Sequence, residues 1–187
     1  MHQWFKREGK EGGDRTLEEQ MLGIEKALDI AKGKSVLDLG CAEGLISREF
    51  LKAGAKSVTG IDIMKTYIAV AVKLCKDFTN AKFIHSDLNA YIRSSNRKKY
   101  DVVLALAIIH KAKKPNDFLK LAIGSCNPSG VIVIRYPIRQ SDGIIKSKHC
   151  DNTCDVIKTM ADNGFVSDGR FAGPKDEVVE YWTRSSI

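Results

Sequence analysis

Three acidic side chains stand at the ends of three successive short apolar runs. Asp38 lies near the end of the first run, Asp62 follows the second and Asp87 follows the third. The first run leads into Gly40 and Gly44, and glycine lets a backbone turn sharply and come close to a bound molecule. A carboxylate at such a place accepts hydrogen bonds from an amine or from the hydroxyls of a sugar. These residues therefore predict a polar ligand site at one edge of the molecule.

The spacing of the acids narrows the kind of ligand. Ligand-binding α/β folds place an acidic residue about twenty residues after the glycine turn, where it binds a ribose, and Asp62 stands 22 residues after Gly40. Three carboxylates suit a ligand with an amino acid group, a ribose and an adenine, and they would repel a pyrophosphate. The glycine pattern is neither G-x-G-x-x-G nor that of a P-loop. Taken singly, Gly44 could cap a helix, and Asp62 or Asp87 could be an N-cap.

The elements that must hold these residues alternate between strands and helices, and such strands pair in parallel through right-handed crossovers. The predicted strands are Ser35–Leu39, Ser57–Ile61, Lys82–His85, Val102–Leu106, Val131–Tyr136, Phe165–Phe171 and Val178–Thr183. The last two are too close in sequence for a crossover helix, so they must pair antiparallel. The fold class is therefore α/β: a doubly wound, mostly parallel seven-stranded sheet with one antiparallel strand near the C-terminus.

The predicted helices fill the spaces between these strands. The helix after the first strand ends near Ala53, the helix after the second ends near Asp77, and a short helix follows the third strand. Two further helices cover Asn116–Cys126 and Thr153–Asn163. One further helix is predicted ahead of the first strand. Thr16 and Glu19 form its capping box, apolar residues follow at four-three spacing, and Gly33 can end it in a left-handed conformation.

Composition sets the size and class of the protein. The 187 residues, 43% of them hydrophobic, are enough for one domain, 1–187, that folds alone. Residues 1–16 form a polar arm in which Trp4 and Phe5 are possible lid aromatics. The longest apolar run, Val102–Ile109, is shorter than the roughly twenty residues of a membrane span, and no secretory signal is recognisable. Five cysteines, an odd number, suggest reduced thiols, so the expected location is the cytoplasm.

These motifs together resemble those of the class I, Rossmann-fold methyltransferases that depend on S-adenosylmethionine. Their motif D-x-G-x-G-x-G stands here as Asp38-Leu-Gly-Cys-Ala-Glu-Gly44, with Ala42 in place of the middle glycine. The segment from Ile108 to Gly130 is similar to that of the ubiquinone-biosynthesis-like branch. The resemblance extends over nearly the whole chain, from about residue 17 to 184, and includes the reversed strand.

The resemblance implies a cofactor, S-adenosyl-L-methionine, and its product S-adenosyl-L-homocysteine. It implies that Asp62 binds the ribose and Asp87 the adenine amine, and that Ile63 and Leu88 contact the adenine faces. The methionyl amine would meet the backbone near Ala105. The full set of implied cofactor-binding residues is Asp38, Gly40, Cys41, Ala42, Gly44, Asp62, Ile63, Asp87, Leu88 and Ala105.

The candidate catalytic residue is His110, just past the fourth strand. Methyl transfer from a sulfonium is an in-line displacement, so a base is needed only if the nucleophile carries a proton. An imidazole titrates in the useful range, and packing at the strand end is the alternative role. Tyr136, at the end of the fifth strand, is a weaker candidate for orienting the acceptor. No metal site is predicted, because His149, Cys150 and Cys154 lack a fourth ligand.

Nearly all of the net charge of +7 lies between residues 107 and 148. The cations there are Lys111, Lys113, Lys114, Lys120, Arg135, Arg139, Lys146 and Lys148, against Asp117 and Asp142. This segment includes the loops on the acceptor side, so an anionic acceptor is favoured, although charged loops also keep a protein soluble.

The predicted function is methyl transfer to an oxygen, nitrogen or carbon of a small, anionic molecule. The alternatives are an RNA or tRNA methyltransferase and a protein that binds the cofactor without transferring methyl. With no predicted substrate domain, an oligomer partner could complete the site.

Overall fold

A computed structural model describes residues 15–88, 90–91, 98–138, 143–149 and 152–185. Its strands are β1 (Ser35–Leu39), β2 (Ser57–Asp62), β3 (Ala81–His85), β4 (Tyr100–Leu106), β5 (Cys126–Pro137), β6 (Ile144–Lys146), β7 (Thr153–Asp155), β8 (Phe165–Ala172) and β9 (Glu177–Arg184). Seven of them form one sheet in the order β3-β2-β1-β4-β5-β9-β8. Strands β1 to β5 pair in parallel, and β9 runs antiparallel to β5 and β8. The predicted fold class, with its single reversed strand, is confirmed.

The order of the strands reverses at β1 and β4, which lie side by side although β2 and β3 separate them in sequence. Parallel strands point their carboxyl ends to the same edge of a sheet, and ligands of open α/β sheets bind at that edge beside such a reversal. The register aligns Asp38 with Gly60 and Asp62 with His85. The ends of β1, β2 and β3 therefore lie level with one another at this edge.

Helices cover both faces of the sheet. They are α1 (Leu17–Met21), α2 (Glu25–Ile30), α3 (Leu45–Lys52), α4 (Lys65–Leu74), α5 (Pro115–Gly124) and α6 (Val156–Asp162). One core joins Ala27 and Phe50 to Val36 of the sheet, and the other joins Leu119 and Met160 to its opposite face. The alternation of apolar residues along the strands produces these two cores, because successive side chains of a strand point to opposite faces. Among the described residues, no helix is both long and apolar enough to cross a membrane.

The single helix predicted ahead of β1 is wrong, because α1 and α2 are separated at Leu22–Ile24. Gly23 has a φ of +79°, and a Cβ there would lie 2.7 Å from the carbonyl oxygen of Ala172. The hydroxyl of Tyr181 also donates to the Gly23 carbonyl at 2.9 Å. Packing against β8 and β9 therefore interrupts a pattern that is continuous in sequence. Both halves of the predicted capping box of Thr16 and Glu19 are present.

The predicted helix over Thr153–Asn163 is also partly wrong. Residues Thr153–Asp155 form β7, which pairs antiparallel with β6 in a separate two-stranded sheet, and only Val156–Asp162 is helical. Cys154 is fully buried, and the Asp155 carboxylate accepts a hydrogen bond from the Lys158 backbone at 2.8 Å. The helix therefore begins at its N-cap. The other predicted boundaries differ from the observed ones by a few residues, most of all at β5, which begins at Cys126.

Candidate functional site

Asp38 lies at the end of β1 and is almost completely buried. The hydroxyl of Ser47, on the first turns of α3, donates to its carboxylate at 2.6 Å. Burial raises the pKa of Asp38 from 3.8 to about 6, against the lowering effect of the Ser47 hydrogen bond. A buried carboxylate of this kind is stabilised by a cation, so Asp38 suits a ligand amine. Ser47 was missed in the sequence, where its signal is a polar residue within the apolar face of a helix.

Asp62, at the end of β2, holds the glycine loop in place. Its carboxylate accepts hydrogen bonds from the backbone of Ala42 at 3.0 Å and of Met64 at 2.8 Å. The backbones of Gly40 and Cys41 donate to the carbonyl of Ile61 at 2.9 and 3.0 Å. The loop after β1 and the end of β2 thus form one rigid unit. The Asp62 carboxylate can accept these two backbone amides and still bind a ligand, because a carboxylate has about four acceptor positions.

The glycines of the loop adopt the conformation that their type permits. Gly40 and Gly44 have φ angles of +75° and +77°. A Cβ at Gly40 would lie 2.9 Å from the Ile108 side chain, and one at Gly44 would lie 2.7 Å from Cβ of Ala71. The close approach at both positions is therefore to the protein itself. Ala42, in place of the middle glycine, has a φ of +48°, which is uncommon for any residue but glycine.

The residues after β2 and β3 carry the remaining implied contacts. Asp87 is exposed, and one carboxylate oxygen caps the following helical turn by accepting from the Ala90 backbone at 3.1 Å. Leu88 is half-buried against the core. Ile63 is 63% exposed and Met64 48% exposed, which is unusual for large apolar side chains beside a buried strand end. An aromatic base lying here would cover them. Asp38, Asp62 and Asp87 are called the acidic rim below.

The backbone changes direction just after β4. Ala105 is fully buried and lies inside the strand, in register with Ile134. Ala107, the first residue after β4, has a φ of +54°. A short 3-10 helix, Ile109–Lys111, follows, and the imidazole of His110 is only 6% exposed. His110 therefore lies at the expected edge of the sheet, with its ring turned into the protein.

Arg135, one of the cations expected on the acceptor side, is instead buried at the end of β5. Its guanidinium donates to the backbone and side-chain carbonyls of Gln20, each at 2.7 Å, and lies 3.3 Å from the carboxylate of Glu177. Arg15 binds the same carboxylate through two hydrogen bonds, of 2.8 and 3.1 Å. Burial lowers the pKa of Arg135 to about 10, against the opposite effect of Glu177. Arg135 therefore fastens α1 to the sheet where β5 ends and β9 begins.

Of the other described cations of the segment, Lys111 is partly buried, whereas the rest are exposed: Lys113, Lys114, Lys120, Lys146 and Lys148. The charges of Lys148 and Arg15 act on Lys111, together with those of Asp62 and Glu177. Arg139 and Asp142 lie outside the described residues, as do Trp4 and Phe5. Arg15, Lys111, Arg135 and Lys148, with Glu177, are called the basic rim below. Sequence reasoning missed Arg15 and Glu177, which carry no local signal because they meet only in the folded chain.

Tyr136 and the residues considered as metal ligands have other positions or roles. The hydroxyl of Tyr136 is buried and donates to the carboxylate of Glu180 at 2.9 Å, so Tyr136 links β5 to β9. Cys154 is buried in β7 and His149 is exposed, while Cys150 lies outside the described residues. No group of His, Cys, Asp or Glu suited to a metal ion occurs in the described part of the chain.

An open hollow lies at the same edge, beyond the ends of β5 and β8 and the start of β9. Its volume is about 590 Å³, and its lining includes Ile138, Arg170, Phe171, Lys175, Asp176 and Glu177. Glu177 therefore belongs both to the basic rim and to the lining of the hollow. The lining mixes apolar side chains with two cations and two carboxylates, so it has room for an apolar body without a net charge of its own.

The strand order and the acidic rim define a Rossmann-like methyltransferase fold. A family model described as a methyltransferase domain matches residues 30–176, and the chain belongs to that family. The N-methyltransferase NodS of Bradyrhizobium japonicum, solved in complex with S-adenosyl-L-homocysteine, superposes with a TM-score of 0.68 at 15% identity, over 87% of this chain and 84% of its own. S-adenosylmethionine is the cofactor that the family and the shared fold indicate.

Curated relatives match the chain over shorter segments. The malonyl-[acyl-carrier protein] O-methyltransferase of Halalkalibacterium halodurans is 28% identical over 54% of this chain and 38% of its own length. The ubiquinone biosynthesis O-methyltransferase of Rhodopseudomonas palustris is 32% identical over 58% of this chain and 42% of its own. The matched segments thus span about two fifths of the length of these relatives.

Proposed function

We propose that this protein transfers a methyl group from S-adenosylmethionine to a small, anionic acceptor. The observation that carries the proposal is the acidic rim: three carboxylates at the ends of three adjacent strands, in a chain of the methyltransferase family. The exposed apolar side chain of Ile63 between two of them fits an adenine, and the buried carboxylate of Asp38 fits an ammonium group. The residues present therefore suit this cofactor.

Residues at different strand ends would bind different parts of the cofactor. When bound, S-adenosylmethionine supplies a methyl group on a positively charged sulfur. Asp62 is held by the Ala42 and Met64 amides, so its remaining acceptor positions are oriented for ribose hydroxyls without further ordering. Asp38 neutralises the amino group, and the backbone from Ala107 onward, rather than Ala105, is open to the methionyl part. Such preorganisation aligns donor and acceptor, which is the main contribution a protein makes to a displacement.

The acceptor side rests on different features. The lysines of the basic rim, Lys111 and Lys148, favour an anionic molecule, and the adjoining hollow has room for an apolar body. Both curated relatives are named O-methyltransferases, which favours an oxygen as the acceptor atom. His110, in the turn after β4, is the proposed proton acceptor. The proposal treats residues 1–187 as one catalytic domain, with the cytoplasm as its location because the described cysteines are free thiols.

The decisive experiment measures binding of S-adenosylhomocysteine by calorimetry. Wild-type protein should bind it, and Asp62→Ala should weaken binding on the order of a hundredfold, because two hydrogen bonds to a charged acceptor are lost. Asp62→Asn retains one oxygen for the loop and tests whether the loss is more than loop disorder. Asp29→Ala, which removes an exposed carboxylate paired with Lys32 at 2.7 Å, should bind as wild type does. Equal affinities of wild type and both Asp62 variants would refute the proposal.

Two other functions give different results in the same preparation. An RNA or tRNA methyltransferase would bind polynucleotide with a steep salt dependence and lose affinity when the exposed Lys113 and Lys114 are neutralised. A protein that binds the cofactor without transferring methyl would bind S-adenosylhomocysteine yet give no methylated product with any pool of acceptors.

A further inference from the structure

Ser47 lies near the start of α3, the helix that follows the glycine loop, and its side chain is completely buried. A buried hydroxyl costs free energy unless it makes a hydrogen bond. The Ser47 hydroxyl donates to Oδ2 of Asp38 at 2.6 Å, and Asp38 is itself only 3% exposed. This hydrogen bond therefore joins the end of β1 to α3 across the loop that contains Gly40 and Gly44.

The two oxygens of the Asp38 carboxylate have different surroundings. Oδ2 accepts the Ser47 hydroxyl, whereas Oδ1 accepts no hydrogen bond from the residues that the structure describes. Asp62, the next member of the acidic rim, is different, because each of its oxygens accepts a backbone amide. A carboxylate that is held by one oxygen keeps the acceptor positions of the other for a ligand, in a fixed orientation. Oδ1 of Asp38 is therefore placed to accept a hydrogen bond from a bound donor.

The charge of Asp38 depends on the same hydrogen bond. Burial raises the pKa of Asp38 from 3.8 to about 6, and the Ser47 hydroxyl is the strongest influence that opposes this rise. The carboxylate of Asp62, at the end of β2, raises the pKa further, while the guanidinium of Arg135, in β5, lowers it. A hydrogen bond donated to a carboxylate favours its charged form. Without the Ser47 hydroxyl, Asp38 would therefore be protonated at a higher pH and would lose its attraction for a cation there.

We propose that Ser47 is a positioning residue for the cofactor, which holds the Asp38 carboxylate by one oxygen so that the other, Oδ1, binds the ammonium group of the methionyl part. This inference rests on the proposed function and assigns the recognition of the amino acid end of the cofactor to a pair of buried side chains. The adenosine end is bound at Asp62 and Asp87, and its binding does not depend on Ser47.

The test compares two ligands that differ only at the amino acid end. S-adenosylhomocysteine has the ammonium group, whereas 5′-methylthioadenosine has the same adenosine and thioether without the amino acid. Calorimetry at neutral pH should show that Ser47→Ala binds S-adenosylhomocysteine about tenfold more weakly than wild type, because a hydrogen bond to a charged group is lost. The affinity for 5′-methylthioadenosine should stay within about twofold of wild type, because its contacts are independent of Asp38.

A pH series and a second substitution separate this role from a purely structural one. Ser47→Ala should begin to lose affinity for S-adenosylhomocysteine at a higher pH than wild type does, so the difference between the two proteins should narrow from about pH 6.5 to about pH 8.5. In an Asp38→Asn background, Ser47→Ala should have little further effect on this affinity, because the serine acts through the carboxylate.

Ser125→Ala is the matched control. Ser125 is also buried, and its hydroxyl donates to the carbonyl of Leu121 at 2.9 Å, at the opposite edge of the sheet, where β5 begins. This variant should bind both ligands as wild type does.

Four results would overturn the inference while binding of S-adenosylhomocysteine by wild type leaves the proposed function standing. They are an unaltered affinity in Ser47→Ala, an equal loss for both ligands, a loss that is the same at every pH, and the same loss in Ser125→Ala. Failure of wild-type protein to bind S-adenosylhomocysteine would refute the proposed function itself.

Discussion

The two rims occupy the same edge of one sheet, yet they are built in opposite ways. The acidic rim consists of residues that each lie at or just beyond the end of their own strand, within a segment of about fifty residues. Its hydrogen bonds link neighbouring turns. The basic rim joins Arg15, Lys111, Arg135, Lys148 and Glu177, which come from both ends of the chain and its middle. A site for a common cofactor can be encoded locally, whereas this acceptor side depends on the complete fold.

The difference has an electrostatic side as well. The acidic rim holds a carboxylate, Asp38, whose charge is disfavoured by burial, so a cationic group bound beside it would stabilise that charge. The basic rim holds cations around one shared carboxylate, Glu177. Each rim is therefore complementary to a group of the opposite charge. Three further experiments test how independent the two rims are.

The largest effect is expected at Glu177. Replacing it with Gln leaves the buried guanidinium of Arg135 without its ionic partner, and breaking a buried pair from one side costs about 4 kcal/mol of unfolding free energy. Urea denaturation measures it. Asp168→Asn removes an exposed carboxylate 3.1 Å from Lys26 and should change stability by less than about 1 kcal/mol. Equal effects of the two variants would mean that the basic rim is no more than a surface ion pair.

Asp38 should give the protein a characteristic pH dependence. Its pKa is raised on folding from 3.8 to about 6, so the folded state holds a proton that the unfolded state releases between these values. The free energy of unfolding should therefore fall by up to about 3 kcal/mol as the pH rises from 4 to 6, and should lose nothing more from this group above pH 6.

Asp38→Asn tests this directly, because its amide keeps an oxygen for the Ser47 hydroxyl and has no charge to bury. Urea unfolding at pH 4.5 and pH 7.5 should show the variant gaining stability over wild type mainly at the higher pH. Its affinity for S-adenosylhomocysteine should nevertheless fall, and that of wild type should fall below about pH 6. A constant difference between the two proteins across this range would contradict the assignment.

The smallest of the three effects separates backbone conformation from packing in the glycine loop. Gly44 and Gly54 both have positive φ angles, +77° and +93°, but a Cβ at Gly44 would lie 2.7 Å from Ala71, whereas one at Gly54 has nothing within 4 Å. Gly44→Ala should therefore cost about 2 kcal/mol more than Gly54→Ala, because overpacking adds to the strain. Thermal denaturation of the two variants measures the difference, and equal costs would show that α4 yields readily.

Much of the fold was predictable because its signals are short-ranged. Short apolar runs that alternate with amphipathic helices indicated a mostly parallel sheet, and the brief connection before β9 required a reversed strand. The errors lie where distant contacts override a local pattern. Gly23 interrupts the first helix because β8 and β9 press against it, and Thr153–Asp155 pairs with β6 although its sequence continues a helical pattern.

The sequence by itself determined the acidic rim, because Asp38, Asp62 and Asp87 each stand within two residues of a strand end and parallel strands bring those ends to one edge. It also determined that positive charge is concentrated in one segment. Only the tertiary structure decided what that charge does: Arg135 is buried and links Gln20 of α1 to Glu177 of β9, while the backbone of Lys148 is bonded to the carbonyl of His110. The physical reason is that electrostatic partners are determined by their distance in space. Residues that meet only in the folded chain show no characteristic spacing in the sequence.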